Sequence, residues 1–295
     1  MWVFDSLLAL ASSIISSLFG KETIEKWETA SVMFVSNIVL LVITLITFFI
    51  VEKTYPRFSW ESSIVGIISG ISVVFLSRAY KEASNVGIVS ALRKLQAPLM
   101  AIAALFLFGS SIKNKDMLGF LLIIIGTVVI VYSEKTDKTD KGNIKQLVLN
   151  TVLSIVIGVI ALLWQSKILK NTSIHNYLVW SILAYTFVPY IIDAIEHNDW
   201  NPFKYGMDKR VGSGNITNMD IIFLLLQSIF VYTYVFFQAR AFKNAPNPGN
   251  VKAIMSGNIL FTSLAATYIF NEKKINQIGW LGVGLITSGA LTIGL

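Results

Sequence analysis

Apolar residues run along this chain in long unbroken blocks, neither confined to one helical stripe nor alternating as in a half-buried strand. Ten blocks stand out, at roughly 2–19, 31–51, 62–79, 86–108, 117–133, 146–166, 177–195, 220–239, 251–270 and 277–295. Most come close to the roughly 20 residues that a helix needs to cross the hydrocarbon layer of a bilayer. No water is available there to satisfy peptide groups, so only helices and closed barrels can span it. Barrel strands would alternate apolar and polar positions, and LLIIIGTVVIVY (121–132) does not. The pattern predicts an all-α membrane protein with ten transmembrane helices. The first block lacks a basic leader and carries Asp5 near its start, so it is expected to be a retained span and not a signal peptide.

The connections are short except for EKTDKTDKGNIK (134–145) and the Gly-rich loop 196–219. The former divides the chain into 1–133 and 146–295, each with five blocks. The halves are related in sequence. RAYKEASNVGIVSA (78–91) aligns with RAFKNAPNPGNVKA (240–253), and the register continues to Phe108 opposite Phe270. After a one-residue slip, Gly119 and Gly126 face Gly282 and Gly289. Five is odd, so the second copy must enter the membrane from the opposite side. That makes an inverted repeat, the arrangement by which many carriers expose one midplane site to either face.

Composition sharpens this picture. Hydrophobic residues make up 54% of the chain and charged residues 14%, against about 25% charged in soluble domains. The net charge of +7 sits mostly beside the apolar blocks. It points to lipid headgroups and away from nucleic acid. With no cysteine, disulfides, Cys-ligated zinc and a thiol nucleophile are excluded. His175 and His197 fall in predicted loops and match no metal spacing, and no Walker loop, HExxH or GxSxG occurs. No catalytic, metal or cofactor site is expected, and the chain is not expected to be an enzyme.

Candidate chemistry centres on ALRKLQAP (91–98), which places Arg93 and Lys94 side by side inside an apolar block. A mid-bilayer cation costs about 2.5–3.5 kcal/mol. Helical neighbours point about 100° apart, so the two cannot share one lipid-facing stripe. They either snorkel or pair with a carboxylate, or at least one projects into a cavity to meet an anionic substrate. The acids Asp5, Asp193 and Glu272 all lie near block ends. Gln96 and Asn258 occupy matched repeat positions, where they either tie helices together or orient a substrate. Trp164 and Gln165 close the sixth block, as interfacial anchors or cavity lining. These six residues are the substrate-binding candidates. Tyr232, Tyr234 and Gln238 are weaker ones, and Lys252 reads as a membrane-edge lysine. Gly66 and Gly70, like the repeat glycines, read as helix packing. The Arg78/Lys81 and Arg240/Lys243 pairs read as headgroup contacts.

The repeat itself resembles a known family. AYKEASNVGIVSALRKLQAPLMAIAALFLFGSSIKNKDMLGFLLIIIGTVVIV and its second copy, AFKNAPNPGNVKAIMSGNILFTSLAATYIFNEKKINQIGWLGVGLITSGALTIG, are similar to the repeat of the EamA-like branch of the drug/metabolite transporter superfamily. The resemblance implies ten helices around a central cavity, lined chiefly by the first, third and fourth helix of each repeat. It also implies transport of small metabolites, and termini in the cytosol. Two features depart from the pattern. GSSI (109–112) replaces the acid that Glu272 keeps in the second copy, so a paired-acid gate is in doubt; and Pro98 faces Leu260. The expected function is secondary transport of a small, anionic or zwitterionic metabolite by alternating access. The alternatives are an exchanger of the nucleotide-sugar or triose-phosphate type, a channel, or a structural membrane protein.

Overall fold

The computed structural model describes residues 1–26, 29–82, 86–135, 144–198, 200, 218–268 and 275–295. Every element among them is an α-helix. The first half holds α1 (Trp2–Lys26), α2 (Thr29–Glu52), α3 (Trp60–Glu82), α4 (Val86–Arg93), α5 (Gln96–Phe108) and α6 (Asn114–Lys135). The second holds α7 (Ile144–Ile168), α8 (Ile174–His197), α9 (Asn218–Asn244), α10 (Pro248–Ser256), α11 (Asn258–Tyr268) and α12 (Gln277–Gly294). Nine stretches of the described helices are long and apolar enough to cross a membrane. The pair α10–α11 supplies the tenth span. Much of the polar linker and of the loop 201–217, and Glu272, lie outside the described residues.

The bundle is polar within and greasy without. On α7, Val148, Val152, Val156 and Ile160 form an exposed stripe, as do Leu121, Ile125, Val128 and Tyr132 on α6. Ser6, Thr44, Ser62, Thr151, Ser154 and Ser228 are buried instead. Lipid solvates the stripes, so close packing and hydrogen bonds, not exclusion of water, drive the helices together. Small hydroxyls suit that role. Thr44 and Thr151 return their protons to carbonyls one turn back, and Ser72 donates across helices to the Ser154 carbonyl at 2.9 Å.

The helix pairings repeat across the two halves. α1 packs on α9 and α3 on α7, contacts that an inverted repeat exchanges, while α6 packs on α12 across the symmetry axis. A Cβ on Gly126 would lie 2.7 Å from the Gly282 oxygen, and one on Gly282 would lie 2.7 Å from the Gly126 oxygen. Gly119 and Gly289 meet in the same reciprocal way, at 2.7 and 2.5 Å. Residue 119 beside 289 and 126 beside 282 requires antiparallel helices. Under the repeat, in which 119 corresponds to 282 and 126 to 289, each contact is the image of the other. Gly66 and Gly70 let α3 reach the backbone of α8 at Ser181 and the side chain of Val188.

Two spans expected to be continuous are broken. The fourth divides between α4 and α5 at Lys94–Leu95, and the ninth between α10 and α11 at Gly257. These positions correspond in the repeat, yet their chemistry differs. Pro98 has no N–H to offer the Lys94 carbonyl four residues back, and its ring crowds that oxygen. The chain tightens instead into i→i−3 turns, Lys94 N–H to Ala91 O and Leu95 N–H to Leu92 O. Ala91 O also accepts from Thr127 of α6. In the second copy the loosening residue is Gly257, whose N–H bonds Ile254 O.

Candidate functional site

The helix breaks bring the candidate side chains together. Lys94 leaves the first break and donates from Nζ to Asn258 Oδ1 at 2.5 Å, so Asn258, the first residue after the second break, serves a cation of the other repeat. Arg93, the last residue of α4, lies in electrostatic reach of Lys94 and Lys252. Lys252 lies in electrostatic reach of Tyr234 of α9, and Tyr185 of α8 in electrostatic reach of Arg93 and Tyr234. Groups from the fourth, seventh, eighth and ninth spans thus face one another, so they turn away from lipid. All six are half-buried.

Lys252 lies about one turn deeper than the apolar block suggests. Asn247 caps α10 through Gly249 N–H, with Pro248 in the first turn, so the ninth span starts earlier than the apolar block suggests. That start puts Lys252 in the second turn of α10, about 6 Å from its first residue. The signal was present in NPGN, a cap and a proline ahead of the block.

The remaining candidates are placed elsewhere. Gln96 is buried with its amide against α7: Nε2 lies 2.7 Å from where a Cβ on Gly158 would sit. Asn258 accepts from Lys94 and not from Gln96. Trp164 packs into the main apolar core, Gln165 is buried, and neither hydrogen-bonds the cations. Gln238 is buried and donates to the Met255 sulfur at 3.7 Å.

Among the described residues no carboxylate pairs with Arg93, Lys94 or Lys252. Arg93 Nε is buried and finds no hydrogen-bond partner. Three of the described acids, Asp5, Asp116 and Glu196, are used elsewhere, near helix ends. Asp5, 1% exposed, pairs with Arg240 at 3.4 Å. Arg78 pairs with Glu196, and Lys243 donates to the Thr172 carbonyl. The arginines expected at headgroups are staples between helices instead. Asp116 of α6 accepts from Asn250 Nδ2 at 3.0 Å.

An inverted pair of five-span units, with discontinuous helices presenting polar groups at the centre, defines a multi-pass integral membrane protein of the transporter class. The EamA-like transporter family model matches residues 1–132. The first half of the chain is thus similar to the EamA-like transporter family, part of the drug/metabolite transporter superfamily. A solved structure titled only "Crystal structure of protein" superposes with a TM-score of 0.72 at 13% identity, covering 99% of this chain and 95% of that one. It shares the fold. Comparison with curated proteins finds no match. The family match indicates a membrane transporter of the drug/metabolite type, a class that works in a bilayer on small molecules.

Proposed function

We propose that this protein is a secondary, non-enzymatic carrier that moves a small anionic or zwitterionic metabolite by alternating access. The observation that carries the reading is the pair of cations at the first helix break, Arg93 with its buried Nε unpartnered and Lys94 held by Asn258, with no described carboxylate to neutralise them. Charge inside a span is retained where it has a partner; here cargo supplies the partner. Arg93 and Lys94 attract the anionic group, and Asn258 orients Lys94. Gln96, Trp164 and Gln165 support the cavity wall from behind.

Unequal packing in the two halves supports alternating access. On the face that carries the termini, α10 lies against α5. A Cβ on Gly249 would fall 2.4 Å from the Ala101 side chain, and Asn247 donates to Ala101 O at 3.2 Å. The Asp116–Asn250 bond closes the same face. The repeat-equivalent pair, α4 and α11, touches far less among the described residues. Two halves with one design thus adopt different closures, as a carrier shut on one face would.

Counterflow of a labelled metabolite mixture into proteoliposomes tests the reading. Saturable, exchangeable uptake of an acid, lost in Arg93→Gln and Lys94→Gln, is expected. Unsaturable, voltage-driven flux would make the protein a channel, and unchanged uptake in both variants would remove the cations' assigned role.

A further inference from the structure

We infer that Arg78 and Arg240 form a partner switch set by which face of the carrier is closed. Each arginine holds the first helix of the other repeat while its own face is shut, and an acid at the end of that repeat's second helix while its face is open. The inference rests on the alternating-access part of the carrier reading and goes beyond it by naming contacts that exchange.

The two arginines are repeat equivalents, each four residues before the end of the third helix of its half, α3 or α9. They nevertheless pair differently. On the terminus-bearing face, which is closed, Arg240 meets Asp5 of α1 at 3.4 Å. On the opposite face Arg78 meets Glu196 of α8. One structure thus shows the same device in two settings.

Laying α1 and α2 over α7 and α8 supplies the partner each arginine lacks. With Asp5-Ser6 set over Asn150-Thr151, both pairs are buried, while Phe4 and Leu7 fall on Leu149 and Val152, all four of them exposed. In that register Glu52 ends α2 one position from Glu196 on α8. The alternative partner of Arg78 is therefore Asn150, and that of Arg240 is Glu52.

Both alternatives lie within reach. Asn150 is about one turn from Leu147, which packs with Leu76 and Ala79 on either side of Arg78. The second and eighth spans cross in the same direction and touch through Ser36 and Ser228 at 3.3 Å. Counting along both helices from that contact puts Glu52 about four residues, or about 6 Å, beyond Arg240, a gap that an arginine side chain covers. Neither the Asn150 nor the Glu52 side chain has an ion pair or hydrogen bond among the described residues. The switch is also unequal. Asp5 is charged where Asn150 is neutral, and charge-assisted contacts are the stronger, which favours closure of the terminus-bearing face, the closure the structure adopts.

The experiment uses the full chain carrying Asn258→Cys as its one thiol, in oriented proteoliposomes. The quantity read is the rate of labelling by a membrane-impermeant thiol reagent from the terminus-bearing face, divided by the rate from the opposite face. Asn150→Asp gives the opposite face its own ion pair and should raise this ratio about fivefold, the effect of one solvent-reachable pair. Asp5→Asn should raise it by a similar factor, and Glu52→Gln should lower it. A merely structural role for the two acids beside Arg240 would move the ratio the same way in both variants or leave it unchanged. Such a result, or a ratio unmoved by Asn150→Asp, overturns the switch, and labelling from both faces then leaves the carrier reading intact. Labelling from one face alone in every variant overturns both. Asn150→Asp and Glu52→Gln decide by themselves, should Asp5→Asn fail to fold.

Discussion

Replacing Gly126 by alanine adds one methyl group at the place where the two halves of the carrier cross. The new Cβ would sit 2.7 Å from the Gly282 oxygen and 2.8 and 2.9 Å from Ile286 Cγ1 and N. Two of those three atoms are backbone, so no rotamer change relieves the clash, and α6 and α12 must part. Overpacking of this kind costs about 1–3 kcal/mol. Separation also loosens the image contact between Gly119 and Gly289, which places the loss toward the upper end. At about 2–4 °C per kcal/mol for a chain of this size, the melting temperature should fall by about 4–10 °C. Gly284 provides the control, because it lies on the partner helix α12 with nothing within 4 Å of its would-be Cβ. Gly284→Ala should melt at or slightly above wild type, since alanine gains about 1 kcal/mol of helix propensity. The assay is tryptophan-fluorescence or dye-based melting in detergent. A Gly126→Ala protein as stable as wild type, or a Gly284→Ala protein equally damaged, would refute the close crossing of the repeats.

Three further expectations follow from the contacts. Arg240→Gln strands the buried Asp5 charge and should cost about 2–3 kcal/mol, below the usual value for a fully buried pair because Arg240 is 35% exposed. Asp5→Asn should cost less and should partly rescue Arg240→Gln, and melting of the three variants checks the order. Pro98→Ala restores a donor at the first break, so stability should hold or rise while Lys94 leaves its Asn258 contact; anion binding should weaken, and unchanged binding would mean that the break does not position Lys94. The chain has no cysteine of its own, so Asp116→Cys with Asn250→Cys can be joined through mixed disulfides by a short bis-methanethiosulfonate. The joined protein should lose transport and recover it on reduction; full transport while joined would show that this contact need not open.

The large features of the fold could be read from residue order because they depend on local composition. Block length gave the spans, and the shared Arg-Ala-aromatic-Lys gave the repeat. The seven-residue spacing of Gly119 and Gly126, and of Gly282 and Gly289, marked packing faces but not that these two helices meet. The site was only half visible. Arg93, Lys94 and Asn258 stand out as polar residues in apolar blocks, and they do come together. Lys252 did not, because its depth depends on where the ninth span starts, which the cap at Asn247 decides and the apolar block does not. Gln96, matched to Asn258 by position, turns toward α7, since the first break rotates the residues beyond it. The partners of Arg78 and Arg240 lie 118 and 235 residues away, a separation that no local pattern records. Pro98, which seemed an unpaired oddity of the repeat, is the physical cause of the break that Gly257 supplies in the other copy.

The central claim is that the two helix breaks line one wet space reached in turn from both faces. Labelling of Asn258→Cys by a membrane-impermeant thiol reagent tests it most directly, applied to either side of oriented proteoliposomes. The account predicts modification from each side and slowing of both reactions by a bound anion. A cysteine at 258 that reacts from neither face, or from one face alone under all conditions, would contradict it.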